Sequence, residues 1–300
     1  MELTWTMRLR IIASLAIGII LLGFLPWNLI KPPAEGVFTI LTANIHISDI
    51  LICAGLAFIC GFIASAISSP YGAQTGILAA PAGLVVWGLR SAPLSEIFQR
   101  YPSAASRMDV YSKLRLEGFL WLGIVLCGFL AALLADKIFK RETVRFSDEE
   151  KPVFQLQAYV RIIIAVIATI FIANFLINIL AGDVSYPDSK LARVTAQPAN
   201  LQIAFAVFIT FGACGFLARL FLGSPAFWPA IASAPLIYYS AISYEKKDLI
   251  THISSFWPAT FFIRPVTAVL PVQMVAFAFL GAIWGYWLAV DFSWWRTHQA

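Results

Sequence analysis

Residues 10–30 read RIIASLAIGIILLGFLPWNLI, and residues 161–181 read RIIIAVIATIFIANFLINILA. Each stretch opens on an arginine and is then almost entirely apolar, and about 20 such residues in a helix cross the hydrocarbon core of a bilayer. Both stretches also reach a Phe-Leu pair at the same distance from the arginine, at Phe24 and at Phe175. The likeness predicts that the chain contains one membrane unit twice.

Further short motifs recur in the same order in the two halves. They are Cys60-Gly61-Phe62 with Cys214-Gly215-Phe216, Ser69-Pro70 with Ser224-Pro225, and Ala80-Pro81 with Ala234-Pro235. We therefore predict a first four-span repeat at 1–140, a polar linker at 141–160 and a second four-span repeat at 161–300.

The composition predicts that lipid is the main solvent of this chain. Of its 300 residues, 60% are hydrophobic and only 12% are charged, whereas about a quarter are charged in soluble domains. Helices are expected because each satisfies its own backbone hydrogen bonds in lipid. The predicted fold class is all-α, a polytopic transmembrane bundle of about eight spans built as two tandem four-helix repeats. The apolar blocks are 10–30, 49–68, 72–89, 117–136, 161–181, 200–222, 226–243 and 268–290.

Blocks 72–89 and 226–243 are the shortest and the most broken: the first holds Gly72, Gly76, Pro81 and Gly83, and the second follows Pro225 and holds Pro229 and Pro235. If they enter the membrane and return, each half has three spans and the repeats are inverted. At a rise of 1.5 Å per residue, however, 18 residues reach about 27 Å, which is just enough to cross. Full crossing is the favoured interpretation. Two polar stretches, 90–116 and 244–267, are expected to form long loops with amphipathic pieces on the membrane surface.

The broken blocks are the best sequence indication of a binding site. Transporters often bind their solutes where matching helices of two repeats are interrupted. Pro81 and Pro235 would expose backbone carbonyls near the membrane centre, because proline lacks an N–H group. The side chains that would add hydrogen bonds there are Gln74, Thr75, Ser233 and Tyr238. Close helix packing is the competing and favoured interpretation, since small residues are common at helix contacts in membranes.

Three further polar residues in predicted spans are candidates for contact with a solute. Asn174 and Asn178 are four residues apart and therefore share a helix face. They could line a polar path, although a hydrogen bond to a neighbouring helix is the favoured interpretation. Arg219 lies late in its span, where a long side chain can reach the interface instead of a substrate.

Within the predicted spans, acidic residues occur only at or near the span ends. Asp49 and Glu117 are expected at helix starts, where the helix dipole favours an anion. Asp136 and Asp291 are expected to end the last span of each half. This scarcity of buried acid argues against an ion-driven carrier. Gly281 and Gly285 form a G-x-x-x-G pattern, for which a contact within the chain is expected.

No catalytic pattern is recognisable in the sequence. The three histidines fall in predicted loops or the tail, and none has a second histidine or an acid at metal-ligand spacing. We predict no catalytic residue, no cofactor and no metal, and therefore no enzyme. The excess of 21 basic over 16 acidic residues is more typical of contact with anionic lipid headgroups than with nucleic acid.

Two functions from different classes remain, with a third behind them. The first is a structural or accessory subunit of a membrane complex, with the lipid bilayer and other subunits, or a second copy, as partners. The second is a small-molecule transporter or permease with its site between the repeats. The third is a membrane-bound enzyme that acts on lipid. Basic residues before the first span favour termini in the cytoplasm.

Overall fold

The computed structural model describes residues 5–30, 39–40, 45–68, 72–94, 96, 101, 103–139, 155–182, 184–188, 192–196, 198–246 and 264–298. In the first half the helices are α1 (Trp5–Gly18), a π-helical segment (Ile19–Phe24), α2 (Leu25–Ile30), α3 (Ile47–Ile67), α4 (Gly72–Gly76), α5 (Ala79–Arg90) and α6 (Ala104–Ile138). In the second half they are α7 (Gln155–Leu180), α8 (Asn200–Leu222), α9 (Phe227–Ile231), α10 (Ser233–Tyr244), a 3₁₀ turn (Pro265–Ala268) and α11 (Pro271–His298).

The helices agree with the predicted fold class of a helical membrane protein. Within the described ranges, seven helical segments are long and apolar enough to cross a membrane, which is typical of a multi-pass membrane protein. They are Trp5–Trp27, Ile47–Ile67, Gly72–Arg90, Ala104–Ile138, Tyr159–Leu180, Asn200–Leu222 and Pro271–Arg296. The eighth predicted block, 226–243, forms the two shorter helices α9 and α10 instead, which are separated at Ala232.

Among the described residues, one small element is a β-hairpin and not a helix. Strands β1 (Val184–Asp188) and β2 (Ala192–Ala196) form an antiparallel hairpin between α7 and α8, in which Val184 pairs with Ala196. The prediction of an all-α chain therefore holds for the apolar segments and omits this hairpin.

Helix α6 is longer than any bilayer requires. Its 35 residues rise about 52 Å, whereas a hydrocarbon core is about 30 Å thick. Ser103 caps its start by accepting a hydrogen bond from the Ser106 N–H at 3.1 Å. The prediction of a loop through 90–116 is therefore wrong from Ala104 onward, because this polar stretch continues the membrane helix beyond the apolar block.

Glycine lets the long helices of each half touch through their backbones. A Cβ placed on Gly61 of α3 would overlap the carbonyl oxygen of Gly128 on α6. In the second half, a Cβ on Gly215 of α8 would overlap the carbonyl oxygen of Ala282 on α11. The G-x-x-x-G pattern of α11 also packs within the chain, since a Cβ on Gly285 would overlap the Gly212 carbonyl oxygen.

The contacts fix the relative direction of helices within each half. Along α3 and α6, the contacts join Gly61 to Gly128 and then Ser65 to Ala132, so the two helices run parallel. Along α8 and α11, residues 208 and 212 lie beside residues 281 and 285, so these helices are also parallel. A chain that runs twice in the same direction must return in between. The returning segments are α4–α5 in one half and α9–α10 in the other.

The returning helices also connect the two halves. A Cβ on Gly118 of α6 would lie 2.8 Å from the Ile237 side chain of α10. Conversely, a Cβ on Gly88 of α5 would lie 3.0 Å from the Gln273 side chain of α11. Each half thus packs its long last helix against the returning helix of the other half, and the buried core is continuous across the chain.

Candidate functional site

Both returning segments contain a proline at the same place in a helix. Pro81 is the third residue of α5, which follows the break at Ile77 and Leu78, and Pro235 is the third residue of α10, which follows the break at Ala232. The first turn of a helix tolerates proline because its N–H groups have no partner within the helix. The prolines therefore belong to helix starts, and the break in each segment precedes them.

The Thr75 and Ser233 hydroxyl groups donate to carbonyls of their own returning segments. Thr75 is 1% exposed and donates to the Gly72 carbonyl at 3.2 Å. Ser233 is fully buried and donates to the Ala230 carbonyl at 2.7 Å. Gln74 is half-buried on α4. Tyr238 is on the outer face of α10, 38% exposed, and its ring lies 6.1 Å from that of Phe119.

Of the three remaining predicted site residues, Asn178 and Arg219 have partners within their own half. Asn178 accepts a hydrogen bond from the Val266 N–H at 3.0 Å and so joins α7 to the 3₁₀ turn. Asn174 lies one turn earlier on the same helix, half-buried. Arg219 donates to the Gly223 carbonyl at 3.5 Å and lies over the Tyr286 ring at 5.3 Å. Its guanidinium thus sits at the C-terminal end of α8, where the helix dipole favours a cation.

Gly223 shows why α8 ends beside Arg219. Its φ of 63° is left-handed, a conformation that glycine adopts without steric cost. The Ser224 N–H bonds the Ala218 carbonyl, and the Gly223 N–H bonds the Arg219 carbonyl, both at 3.1 Å. With Gly223 left-handed, the bond from its N–H to the Arg219 carbonyl is that of an αL cap, and this cap turns the chain into α9.

Glu117 is buried in the interior of α6, and the prediction that it starts a helix is wrong. The helix begins 13 residues earlier because Ser103 caps it. Glu117 is 3% exposed, and its Oε1 accepts from Trp121 Nε1 at 3.0 Å and from the Ile40 N–H at 3.2 Å. Its Oε2 is buried without a hydrogen-bond partner. A buried acid in a span is a functional candidate by default, and the sequence analysis missed it.

A row of tryptophans adjoins Glu117. The Trp87 ring lies 5.9 Å from that of Trp121 and 5.3 Å from that of Trp27. The Arg90 guanidinium lies 4.7 Å from the Trp27 ring centroid, within cation–π range. Trp87 Nε1 donates to the Leu22 carbonyl at 2.8 Å, in the π-helical segment, where regular α-helical pairing is interrupted. Trp87 and Trp121 are both 2% exposed or less.

Asp136 fastens the opposite end of α6. It is 7% exposed, and its two carboxylate oxygens accept from Ser65 Oγ and from the Ala73 N–H, each at 2.9 Å. Its position near the end of the helix was predicted correctly, and its carboxylate is buried there within the protein. It holds the start of α4 against α3 and α6 because a carboxylate at a helix N-terminus satisfies free N–H groups.

A third polar cluster joins the halves at the end of the bundle where α5 ends. Arg115 of α6 pairs with Glu245 at 3.5 Å, and Tyr111 donates to the Thr267 carbonyl at 3.1 Å. Nearby, the fully buried Gln273 of α11 donates to the Gly88 carbonyl at 3.0 Å and to Asn200 Oδ1 at 3.2 Å. All of these contacts except the Gln273–Asn200 bond cross from one half to the other, and their chemistry is that of structural hydrogen bonds.

The described residues contain no group of three or more His, Cys, Asp or Glu side chains placed to hold a metal ion. Comparison of the chain with protein-family models, with curated proteins and with solved structures finds no match. The packing and the buried polar groups are therefore the features of the molecule that bear on its function.

Proposed function

We propose that this chain is a non-catalytic integral membrane protein that acts as a structural or accessory subunit of a membrane complex. The observation that carries the proposal is the close contact between the halves where a carrier would bind. Ile237 packs against Gly118, Gln273 packs against Gly88, and the Thr75 and Ser233 hydroxyls bond to carbonyls within their own returning segments. Such contacts favour a fixed scaffold, because alternating access requires the halves to move against each other.

The proposal includes a tandem repeat, which matching contacts support. Gly61 and Gly128 correspond to Gly215 and Ala282 when 154 is added to each number, and both pairs are backbone contacts. The Phe62–Phe139 ring pair at 6.1 Å likewise has a counterpart in Phe216–Phe292 at 5.9 Å, with a shift of one residue at the second ring. Repeated contacts at one offset are what a duplicated unit would produce.

Eight crossings and parallel repeats also form part of the proposal. The parallel direction of α3 and α6, and of α8 and α11, supports one full return of the chain in each half. The path of α9–α10 agrees: Phe227 stacks on Phe129 of α6 at 5.0 Å, and Glu245 reaches Arg115. The 14 residues of α6 between these contacts rise about 21 Å. An even number of crossings puts both termini on one side, and we assign that side to the cytoplasm.

Transport of a small molecule is the second candidate, and Glu117 is the observation that favours it. Its orphaned Oε2 is the kind of buried polar group that a cationic or hydrogen-bonding solute could satisfy. Glu117 lies 19 residues before Asp136, about 28 Å along α6, so the two acids are separated by nearly the thickness of a hydrocarbon core. Glu117 is therefore near one membrane boundary, which is less typical of a carrier site than the midplane.

Purification from its native membrane in mild detergent tests the proposed function. We expect the chain to elute with other membrane proteins in a fixed stoichiometry, and we expect that complex to fall apart in cells that lack the chain. Reconstituted liposomes provide the second arm. Glu117→Gln and the pair Pro81→Ala with Pro235→Ala should leave solute flux unchanged. A monodisperse chain that supports flux, and loses it in Glu117→Gln, would replace the subunit proposal with the transport alternative.

A further inference from the structure

An open groove of about 550 Å³ lies between α8 and α11, at the end of the bundle where both helices finish. Its lining residues are Phe216, Leu288, Asp291, Phe292, Trp294 and Trp295. Five of the six are apolar or aromatic, and the sixth is a carboxylate. The side chains of Asp291, Trp294 and Trp295 are all exposed, so the groove opens to the surroundings of the helices.

In the first half, the carboxylate at the matching place is already paired. Asp136 near the end of α6 is buried against Ser65 and the Ala73 N–H. In the second half, the residue that matches Ser65 at the offset of 154 is Arg219, whose guanidinium lies over Tyr286. Asp291 therefore has an exposed carboxylate beside aromatic rings, at a level where tryptophan is enriched at the membrane interface.

We propose that this groove binds a phospholipid whose headgroup has a primary ammonium group. The ammonium would pair with the Asp291 carboxylate and lie against the faces of Trp294 and Trp295, which attract cations. An acyl chain would follow the apolar wall of Phe216, Leu288 and Phe292. Residues 288, 291, 292 and 295 are spaced so that they share one face of α11, which places the charged and apolar walls side by side along the helix.

The chemistry selects against other lipids. An anionic headgroup such as phosphatidylglycerol would be repelled by Asp291. A quaternary ammonium could lie on the tryptophans but has no N–H to donate to the carboxylate. The selectivity would be modest because the site is open to solvent: an exposed ion pair is worth about 0.2–1 kcal/mol, equivalent to an affinity ratio of about 1.4- to 5-fold.

The test uses the full chain in mild detergent with equal amounts of dioleoyl-phosphatidylethanolamine and dioleoyl-phosphatidylglycerol, and native mass spectrometry to count the retained lipids. We expect the wild type to retain more phosphatidylethanolamine, and Asp291→Asn to lower the ratio about 1.4- to fivefold. Asp109→Asn removes an exposed carboxylate at the other end of the molecule, and it should leave the ratio unchanged.

A second variant separates the headgroup from the acyl chain. Trp295→Leu keeps an apolar wall but removes a cation-binding ring, so it should also lower the preference for the amine lipid. Equal retention of the two lipids by the wild type, or an unchanged ratio in Asp291→Asn, would overturn the proposal. The subunit proposal does not depend on this result, since it concerns protein partners and the contact between the halves.

Discussion

Replacing single helical glycines by alanine gives the sharpest test of the packing. A Cβ on Gly61 would overlap the Gly128 carbonyl oxygen and lie 3.0 Å from the Gly128 Cα. A Cβ on Gly215 would meet Ala282 in the same way, again at 3.0 Å from the Cα. Carbon atoms pack best at about 3.5–4.0 Å, so each substitution should force the two helices apart.

The magnitude follows from two opposing terms. Overpacking a filled contact costs about 1–3 kcal/mol, and replacing glycine by alanine in a helix returns about 0.5–1 kcal/mol. Gly61→Ala and Gly215→Ala should therefore each lose about 1.25 kcal/mol at the middle of these ranges, within limits of about 0–2.5 kcal/mol. Gly55 and Gly123 provide matched controls, because a Cβ at either position has nothing within 4 Å. Their alanine variants should gain about 0.5–1 kcal/mol.

The assay is thermal denaturation in mild detergent, read as the fraction of protein that still elutes as a single peak after heating. A change of 1 kcal/mol corresponds to roughly 2 °C for a chain of this size. We expect Gly61→Ala and Gly215→Ala to melt below the wild type, and both controls at or above it. If Gly61→Ala and Gly55→Ala melt together, α3 and α6 are not in backbone contact and the described packing is refuted.

Three further substitutions test the buried hydrogen bonds by the same melting assay. Asp136→Ala should lower the free energy of unfolding by about 2–4 kcal/mol, because it leaves Ser65 and the Ala73 N–H without this acceptor. The control Asp291→Ala replaces an exposed carboxylate and should be close to neutral. Equal melting of the two variants would contradict the role of Asp136. Gln273→Leu should lower the free energy of unfolding by about 2–3 kcal/mol, since the Gly88 carbonyl and the Leu270 N–H lose a fully buried partner. Melting of this variant at the wild-type temperature would show that these hydrogen bonds do not stabilise the fold. Tyr111→Phe should cost about 1 kcal/mol through its lost bond to the Thr267 carbonyl, with Tyr238→Phe as the exposed control that should not change.

The sequence predicted the apolar helices well because their signal is local. Each long run of apolar residues has to satisfy its backbone in lipid, and seven of the eight predicted blocks match a helical segment of sufficient length. Helix ends in polar sequence were predicted poorly. Residues 104–116 contain enough charge to suggest a loop, but the Ser103 cap and contacts with the second half keep them helical.

The roles of the candidate site residues depend on contacts that the sequence does not show. Proline marked the broken segments correctly, yet the Thr75 and Ser233 hydroxyls near the prolines bond to carbonyls three residues earlier in the same segment. Glu117 was missed as a buried group because its burial depends on Ile40 and Trp121. One of these partners is 77 residues away in the chain. No periodicity or motif encodes such a contact.

The central claim is that two four-helix membrane units follow each other with the same orientation. Single-cysteine labelling from the two sides of the membrane tests it most directly, in a variant whose four native cysteines are replaced by alanine. Glu2→Cys, Glu149→Cys and Gln299→Cys should react from one side, and Glu96→Cys and Lys246→Cys from the other. If Glu149→Cys reacts from the side opposite to Glu2→Cys, the segment 72–90 does not cross, the halves are inverted, and the account is contradicted.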